Sequence, residues 1–283
     1  MKKTVFFPLL ILISFCILII FLSARPVQAK VRAPKAPDIT SVDWVSNQQL
    51  SIRWTRTGHA DGYILYSADS EDDPPQKLAV FRGSSSVRAI ISARKKQIRY
   101  FSVKAYTLRK NQKIKSERSE AFANTTYFDS PLGELFPKGV PKTEHKMEAY
   151  LTYVRVPVYA GGHSRTMTLL VHKKLKKKIR AAFLEMYKLR FPVKRGATGS
   201  YNWRRMSTSK LRSHHSYGCA IDINWDDNPM VTLSQIRRCC FRPGKNRYCI
   251  TKKVRKIWES HGFHWGGDWT EKKDYMHFSY TNC

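Results

Sequence analysis

The chain has 283 residues, of which 42% are hydrophobic and 12% aromatic. That is enough for one large domain or two ordinary ones with real cores, and it excludes a chain too polar to fold. The formal charge is +30; residues 1–29 contribute only Lys2, Lys3 and Arg25, so the remainder still carries +27. A balance this basic selects anionic partners (nucleic acid, an acidic membrane surface or an anionic wall polymer) and says nothing about fold.

Lys2 and Lys3 precede an apolar run from Phe6 to Leu22, and Val27-Gln28-Ala29 follows. A basic start, an apolar run and a Val-x-Ala site predict a signal peptide over 1–29, cleaved after Ala29. The run lies at the lower edge of membrane-spanning length, so an uncleaved anchor is the alternative. Cys16 sits deep inside the run after Phe15 and is read as part of it rather than as a lipidation site. Export argues against nucleic acid as a partner and limits membrane contact to this segment. It places the rest of the chain outside the cytoplasm, secreted or in the cell envelope.

After a basic linker over 30–36 the pattern is β. Leu50 to Trp54 and Phe101 to Ala105 alternate apolar with polar. Gly62 to Tyr66 and Val87 to Ile91 are further short apolar stretches, with turn residues between. Short strands at this spacing predict a sandwich of two antiparallel sheets over 37–127. Asn124-Thr125-Thr126 is a glycosylation sequon to which no weight is given. Residues 128–147 are polar with Pro and Gly and are expected to be a linker. Tyr150 to Tyr159 and Met167 to Val171 are predicted strands. Lys173 to Arg190 is a predicted helix whose Leu175, Ile179, Ala182, Phe183 and Met186 form a core stripe. Pro192 closes it.

The chemistry concentrates in Ser213-His214-His215-Ser216-Tyr217-Gly218-Cys219-Ala220-Ile221-Asp222. If Gly218 to Ile223 is a strand, Cys219, Ile221 and Ile223 face the core. Gly218, Ala220 and Asp222 then face a site, with His215 just before them. His277, in Asp274-Tyr275-Met276-His277, supplies a third ligand. Two His and one carboxylate with a fourth position open form a catalytic rather than a structural zinc set. His214 is the competing ligand. Asp274 is the candidate base for a zinc-activated water, and Arg204 a candidate donor to a developing oxyanion. Asp268 and its flanking tryptophans are read as wall or packing, and His261 and His264 as surface or supporting residues. Cys219, Cys239, Cys240, Cys249 and Cys283 leave an odd count outside the leader; a local disulfide is expected, its pairing open.

Two resemblances follow from these residues. Residues 37–127 resemble a fibronectin type III module through Trp54, Gly62-Tyr63, Phe101/Val103/Ala105, Ser116 and Ser119, although Arg99 stands where the family has its corner tyrosine. Residues 148–283 resemble the M15 group of zinc D,D-peptidases and L-alanyl-D-glutamate endopeptidases, which includes VanY-like carboxypeptidases and phage endolysin peptidases. The matching residues are Ser213-x-His215-x-x-Gly218-x-Ala220-x-Asp222, Trp265-Gly266-Gly267-Asp268-Trp269, Asp274-x-x-His277, and Tyr201-x-Trp203-Arg204 upstream. The resemblance implies an α+β, Hedgehog/D,D-peptidase-like zinc domain behind an all-β sandwich. It implies one zinc ion on His215, Asp222 and His277, Asp274 as base and Arg204 toward substrate. The Asp at the base position and the Trp-Gly-Gly-Asp-Trp block are closer to the endopeptidase branch.

Three function classes are thereby in play. The first is an endopeptidase of peptidoglycan stem peptides, drawn to muropeptides and anionic wall polymers. The second is a D-Ala-D-Ala carboxypeptidase. The third is a non-catalytic wall-binding or adhesive protein.

Overall fold

Eight short strands open the fold: β1 (Ile39–Ser46), β2 (Gln49–Trp54), β3 (Gly62–Ala68), β4 (Gln76–Arg82), β5 (Arg88–Ser92), β6 (Tyr100–Arg109), β7 (Gln112–Lys115) and β8 (Phe122–Ala123). The computed structural model describes residues 32–206, 211–232, 234–235, 244–270 and 272–282. The leader, its apolar run and its cleavage site lie outside these residues, as do Cys239, Cys240 and Cys283 and with them the disulfide expectation. Among the described residues no helix is long and apolar enough to cross a membrane.

The strands form two antiparallel sheets, β1-β2-β5 and β4-β3-β6-β7, with β8 on β6. The period-2 pattern decides what lies between them. Leu50, Ile52 and Trp54 point inward and are buried with Val42, Trp44, Tyr63, Leu65, Phe101 and Val103. The Trp54 ring packs 5.8 Å from Tyr63 and 5.4 Å from Phe81. Lys110 and Asn111 take positive φ in the two-residue turn between β6 and β7, the geometry that matches strand twist. The Ser119 and Ser116 hydroxyls accept from the Val103 and Ala105 backbone N–H groups at 2.9 Å each, continuing the ladder where no strand pairs. Asn124, the sequon residue, is buried; its side chain accepts from Arg99 N and donates to Gln97 O and Thr125 O. Arg99 itself spans to Ser67 Oγ at 2.6 Å.

The segment expected as a linker is packed. It holds α1 (Pro131–Leu135) and α2 (Glu144–Glu148), capped by the Ser130 and Thr143 hydroxyls. Leu132, Leu135, Phe136 and Met147 are buried. Pro and Gly were misleading as linker signals here. Pro131 opens a helix, and a Cβ on Gly133 would meet Tyr127 O at 1.7 Å, so glycine permits a close approach.

Beyond it, β9 (Leu151–Ala160) and β10 (His163–His172) form a hairpin, and α3 (Lys176–Lys188) lies on it through Ile179, Ala182, Phe183 and Met186. These side chains are the predicted stripe. Phe183→Ala would cost about 3–5 kcal/mol by leaving a cavity. The Phe183 ring meets Trp258 of α4 (Lys252–Ser260) edge-on at 5.5 Å, and Trp258 stacks on Phe278 at 5.3 Å. A small sheet, β11 (Ala220–Asp222), β15 (His277–Ser279) and β13 (His264–Trp265), runs in the order β11-β15-β13. Beside it β12 (Met230–Thr232) pairs with β14 (Lys272–Asp274). Residues from Pro34 onward pack as one compact unit.

His172, at the end of β10, is buried between Phe136 and Tyr150, and its Nδ1 accepts from Lys174 N at 3.2 Å. Burial, with the charges of Lys174 and Lys173, pushes its pKa down to about 4. The unfolded imidazole titrates near 6.5 and binds its proton first. Stability is therefore expected to fall as pH drops from about 6.5 to about 4, by about 3 kcal/mol in total. In His172→Asn, whose side chain retains the cap, urea unfolding across this range should show a correspondingly shallower loss than in wild type.

Candidate metal centre

His215 lies in a 3-10 turn, His214–Tyr217, closed by Gly218 at φ +62°. A Cβ at Gly218 would sit 2.6 Å from His172 N, so only glycine allows the turn to nest against the end of β10. This corrects the expected strand from Gly218: the strand begins at Ala220. Ala220 is fully buried and paired with Ser279, so Gly218 and Ala220 shape and pack the turn rather than open a space beside Asp222. Ser216, also fully buried, fixes the turn to the preceding segment. Its hydroxyl accepts from Arg204 N at 2.8 Å and lies 2.9 Å from the carbonyls of Asn202 and Arg204. Asp222 ends β11 directly opposite His277 of β15. Directly opposed residues hold their Cβ atoms about 4.5–5.5 Å apart on one face. A cross-strand pair thus supplies two of the side chains, and the turn supplies the third.

The distances are short. His215 Nε2 lies 3.1 Å from Asp222 Oδ2 and 3.2 Å from His277 Nδ1, and His277 Nδ1 lies 3.0 Å from Asp222 Oδ1. A tetrahedral zinc ion with ligands at about 2.0–2.1 Å would space them about 3.3–3.4 Å apart. His215 Nδ1 lies 2.6 Å from Ser200 O, a carbonyl that can only accept, so Nδ1 carries a proton and Nε2 faces the cluster.

With the carboxyl ionised, no arrangement of protons satisfies all three contacts. If both inward nitrogens are protonated, two N–H groups confront each other. If only one is, the bare nitrogen confronts a carboxylate oxygen. If neither is, only lone pairs meet. A cation among them turns every contact into an attraction, so the donor set fits a metal. Burial pushes the Asp222 carboxyl up, but hydrogen bonds and charge from His215 and His277 outweigh it and hold the group well below the usual carboxylate range. Among the described residues these three form the one cluster with metal-ligand geometry.

The other candidates separate cleanly. His214 points away from the cluster: it is buried, its Nδ1 bonds to Thr281 Oγ1, and burial pushes its pKa down to about 3. Asp274 lies in β14, and its Oδ1 is buried without a hydrogen-bond partner. Burial raises its pKa; the His277 charge opposes this and that of Asp222 adds to it. Gly266 gives the Asp274 backbone room, since a Cβ there would stand 2.6 Å from Asp274 O. Arg204 has its backbone clamped by Ser216, while the residue itself is exposed and does not join the cluster. Asp268 is exposed and pairs with Arg255 at 2.8 Å. His264 is exposed, and His261 bonds to Glu185. Trp269 lies against the His277 ring at 5.2 Å. Sequence reasoning missed Ser200, Ser216 and Thr281, which act through a carbonyl or a hydroxyl and carry no spacing signal.

Residues 207–280 match the family model described as D-alanyl-D-alanine carboxypeptidase. That span contains His215, Asp222, Asp274 and His277, and Arg204 lies just before it. The match supports a peptidase. No curated protein matches the chain. Among solved structures the chain is similar over 42% of its length to a β-1,2-glucanase from Parabacteroides distasonis, at 18% identity and a TM-score of 0.30, spanning 14% of that chain. It is also similar to the fn3 domain of human contactin 1 (14% identity, TM-score 0.28, 37% of this chain and 88% of that one). A further likeness is to an FN3 domain of human collagen XX (14% identity, TM-score 0.24, 36% of this chain and 100% of that one). These likenesses concern part of the chain and assign no activity.

Zinc titration followed by calorimetry should show one site. His215→Ala, His277→Ala and Asp222→Asn should each weaken it beyond the about 10–100-fold that loss of a supporting residue costs. Asp274→Asn should leave it within about threefold. Affinity should fall on acidification, because the ligands must be deprotonated.

Proposed function

We propose that the chain is a zinc-dependent peptidase that hydrolyses peptidoglycan stem peptides outside the cytoplasm, at a D-residue-containing bond of the L-Ala-D-Glu endopeptidase type. The observation that carries this reading is the convergence of His215, Asp222 and His277 on one point that no protonation state satisfies while the carboxyl is ionised, near the half-buried Asp274 with its unpartnered oxygen. The family match over residues 207–280 supports the peptidase class. The zinc domain is taken as 148–283 and the sandwich as 37–127.

Zinc, when bound, supplies a Lewis acid that activates water at neutral pH. The residues do the rest. Ser200 O holds the His215 tautomer that turns Nε2 inward. Asp274, with its carboxyl raised by burial, takes a proton and later delivers it to the leaving amine. Arg204, held at its backbone and free at its head, donates to the oxyanion or to a substrate carboxylate. The basic surface, including exposed Lys173, Lys174, Lys176 and Lys177, favours anionic muropeptides and wall polymers. The 1–29 leader carries the chain there.

A D-Ala-D-Ala carboxypeptidase is the second reading, favoured by the description of the matching family. Digestion of purified peptidoglycan, with mass spectrometry of the new termini, separates the readings. Internal cleavage with new D-Glu amino termini is expected; loss of terminal D-Ala alone would establish the carboxypeptidase. Chelator and His215→Ala should abolish either activity, and Asp274→Asn should lower kcat about 10²–10⁴-fold. Wall binding by wild type without any zinc-dependent hydrolysis would overturn both in favour of an adhesive protein.

A further inference from the structure

Of the seven tryptophans, six are buried or half-buried and Trp225 is 39% exposed. It follows Asn224, a fully buried residue in the left-handed region at φ +51°. Asn224 turns the chain out of β11, and its amide fixes the turn. Its Oδ1 accepts from Lys194 N at 2.7 Å, and its Nδ2 donates to Pro192 O at 2.9 Å and to Tyr248 O at 3.0 Å. Trp225 N then donates to Ala197 O at 2.9 Å. The backbone beneath the indole is held on both sides, so little ordering is left for the moment a ligand meets the ring.

Gly199 pairs with Asp222 through two backbone hydrogen bonds of 2.9 Å each. Directly opposed residues point to one face, with Cβ positions about 4.5–5.5 Å apart. A Cβ on Gly199 would stand 3.3 Å from Trp225 Cζ3 and 3.9 Å from Cη2. The indole therefore stands where a side chain is missing beside Asp222, on the face that carries the metal centre. The other flank also has a glycine: a Cβ on Gly266 would stand 3.2 Å from His277 Cβ and 3.0 Å from Asp274 Cβ. In the sheet order β11 lies on one side of β15, and β13, which runs into Gly266, lies on the other. The floor of the site thus reads Gly199, Asp222, His277, Gly266. Trp225 stands over one end of this row and Asp274 over the other.

The two ends differ in chemistry. In the proposed hydrolysis Asp274 delivers a proton to the leaving amine, so the amine side of the cleaved bond lies at the Asp274 end. The acyl side then runs out toward the indole. We propose that Trp225 is the acyl-side wall of the cleft and that its face packs on the C–H face of the sugar that bears the stem peptide. This rests on the L-Ala-D-Glu reading, in which L-Ala is the acyl residue and its nitrogen carries the lactyl group of that sugar. A planar aromatic ring held at its backbone offers a large apolar contact at small conformational cost.

The test uses the zinc-loaded full chain and two synthetic stem peptides that differ only at the L-Ala nitrogen, one N-acetylated and one carrying the muramyl sugar. Wild type is expected to cleave the muramyl peptide with about tenfold higher kcat/KM, the difference lying in KM. Trp225→Ala should erase the difference while leaving kcat for the acetyl peptide within about twofold. Trp225→Phe should keep part of it. Trp225→Leu, which retains apolar bulk without a planar face, should lose it, and it decides the question if Trp225→Ala does not fold. Equal kcat/KM for the two peptides in wild type, or a difference that survives Trp225→Ala or Trp225→Leu, would overturn the assignment. If wild type cleaves neither peptide, the proposed activity fails separately. Calorimetric binding of the same two peptides then decides the wall by the same tenfold ratio, here in Kd, present in wild type and lost in Trp225→Leu.

Discussion

Asp222 and His277 face each other across two three-residue strands, and the rest of the site follows from that pairing. Strands this short have little stability of their own; theirs comes from what they cover. Ile221 and Phe278, the intervening pair, are fully buried, and Phe278 stacks on Trp258, which meets Phe183 of the long helix. The hydrophobic core therefore sets the separation of these two side chains. His215 joins them through a turn that a glycine, a serine hydroxyl and one carbonyl hold in place.

This arrangement concentrates electrostatic conflict. Three acceptor-capable groups are held at hydrogen-bond distance from one another, where water is largely excluded and polar mismatch is expensive. Nearby, half-buried Asp274 holds a buried oxygen that is unsatisfied. Packing and backbone bonds elsewhere sustain both, as the fully buried Ser216 does for the turn. Sites that act on charge are built in this way, with the cost of orientation met during folding rather than during reaction.

Much of this was legible in the sequence, for local reasons. Alternation at Leu50–Trp54 and Phe101–Ala105 and helical spacing at Ile179–Met186 report burial directly, and the strands and helix lie where those patterns put them. The three converging side chains were legible because their order and spacing repeat a known motif. Other features were not. Gly218 was read into a strand because its neighbours alternate, but its left-handed φ answers to the backbone of His172, far away in sequence. Residues 128–147 looked like a linker because Pro131 and Gly133 break patterns, and nothing local shows that Phe136 is buried. The contact of Arg53 with Trp269 joins residues more than two hundred positions apart, and the alternation that turns Arg53 outward says nothing of what covers it.

The packed segment after the sandwich has a mechanical consequence. Tyr127 lies edge-on to Trp44 inside the sandwich and donates its hydroxyl to Phe136 O, while the Phe136 ring meets Tyr150, His172 and Tyr217 beyond it. One continuous apolar core thus runs from Val42 to Phe278. Two beads on a string can search a polymer mesh independently; two halves that share a core travel and turn as one body, and heat or denaturant should melt them together in a single cooperative step.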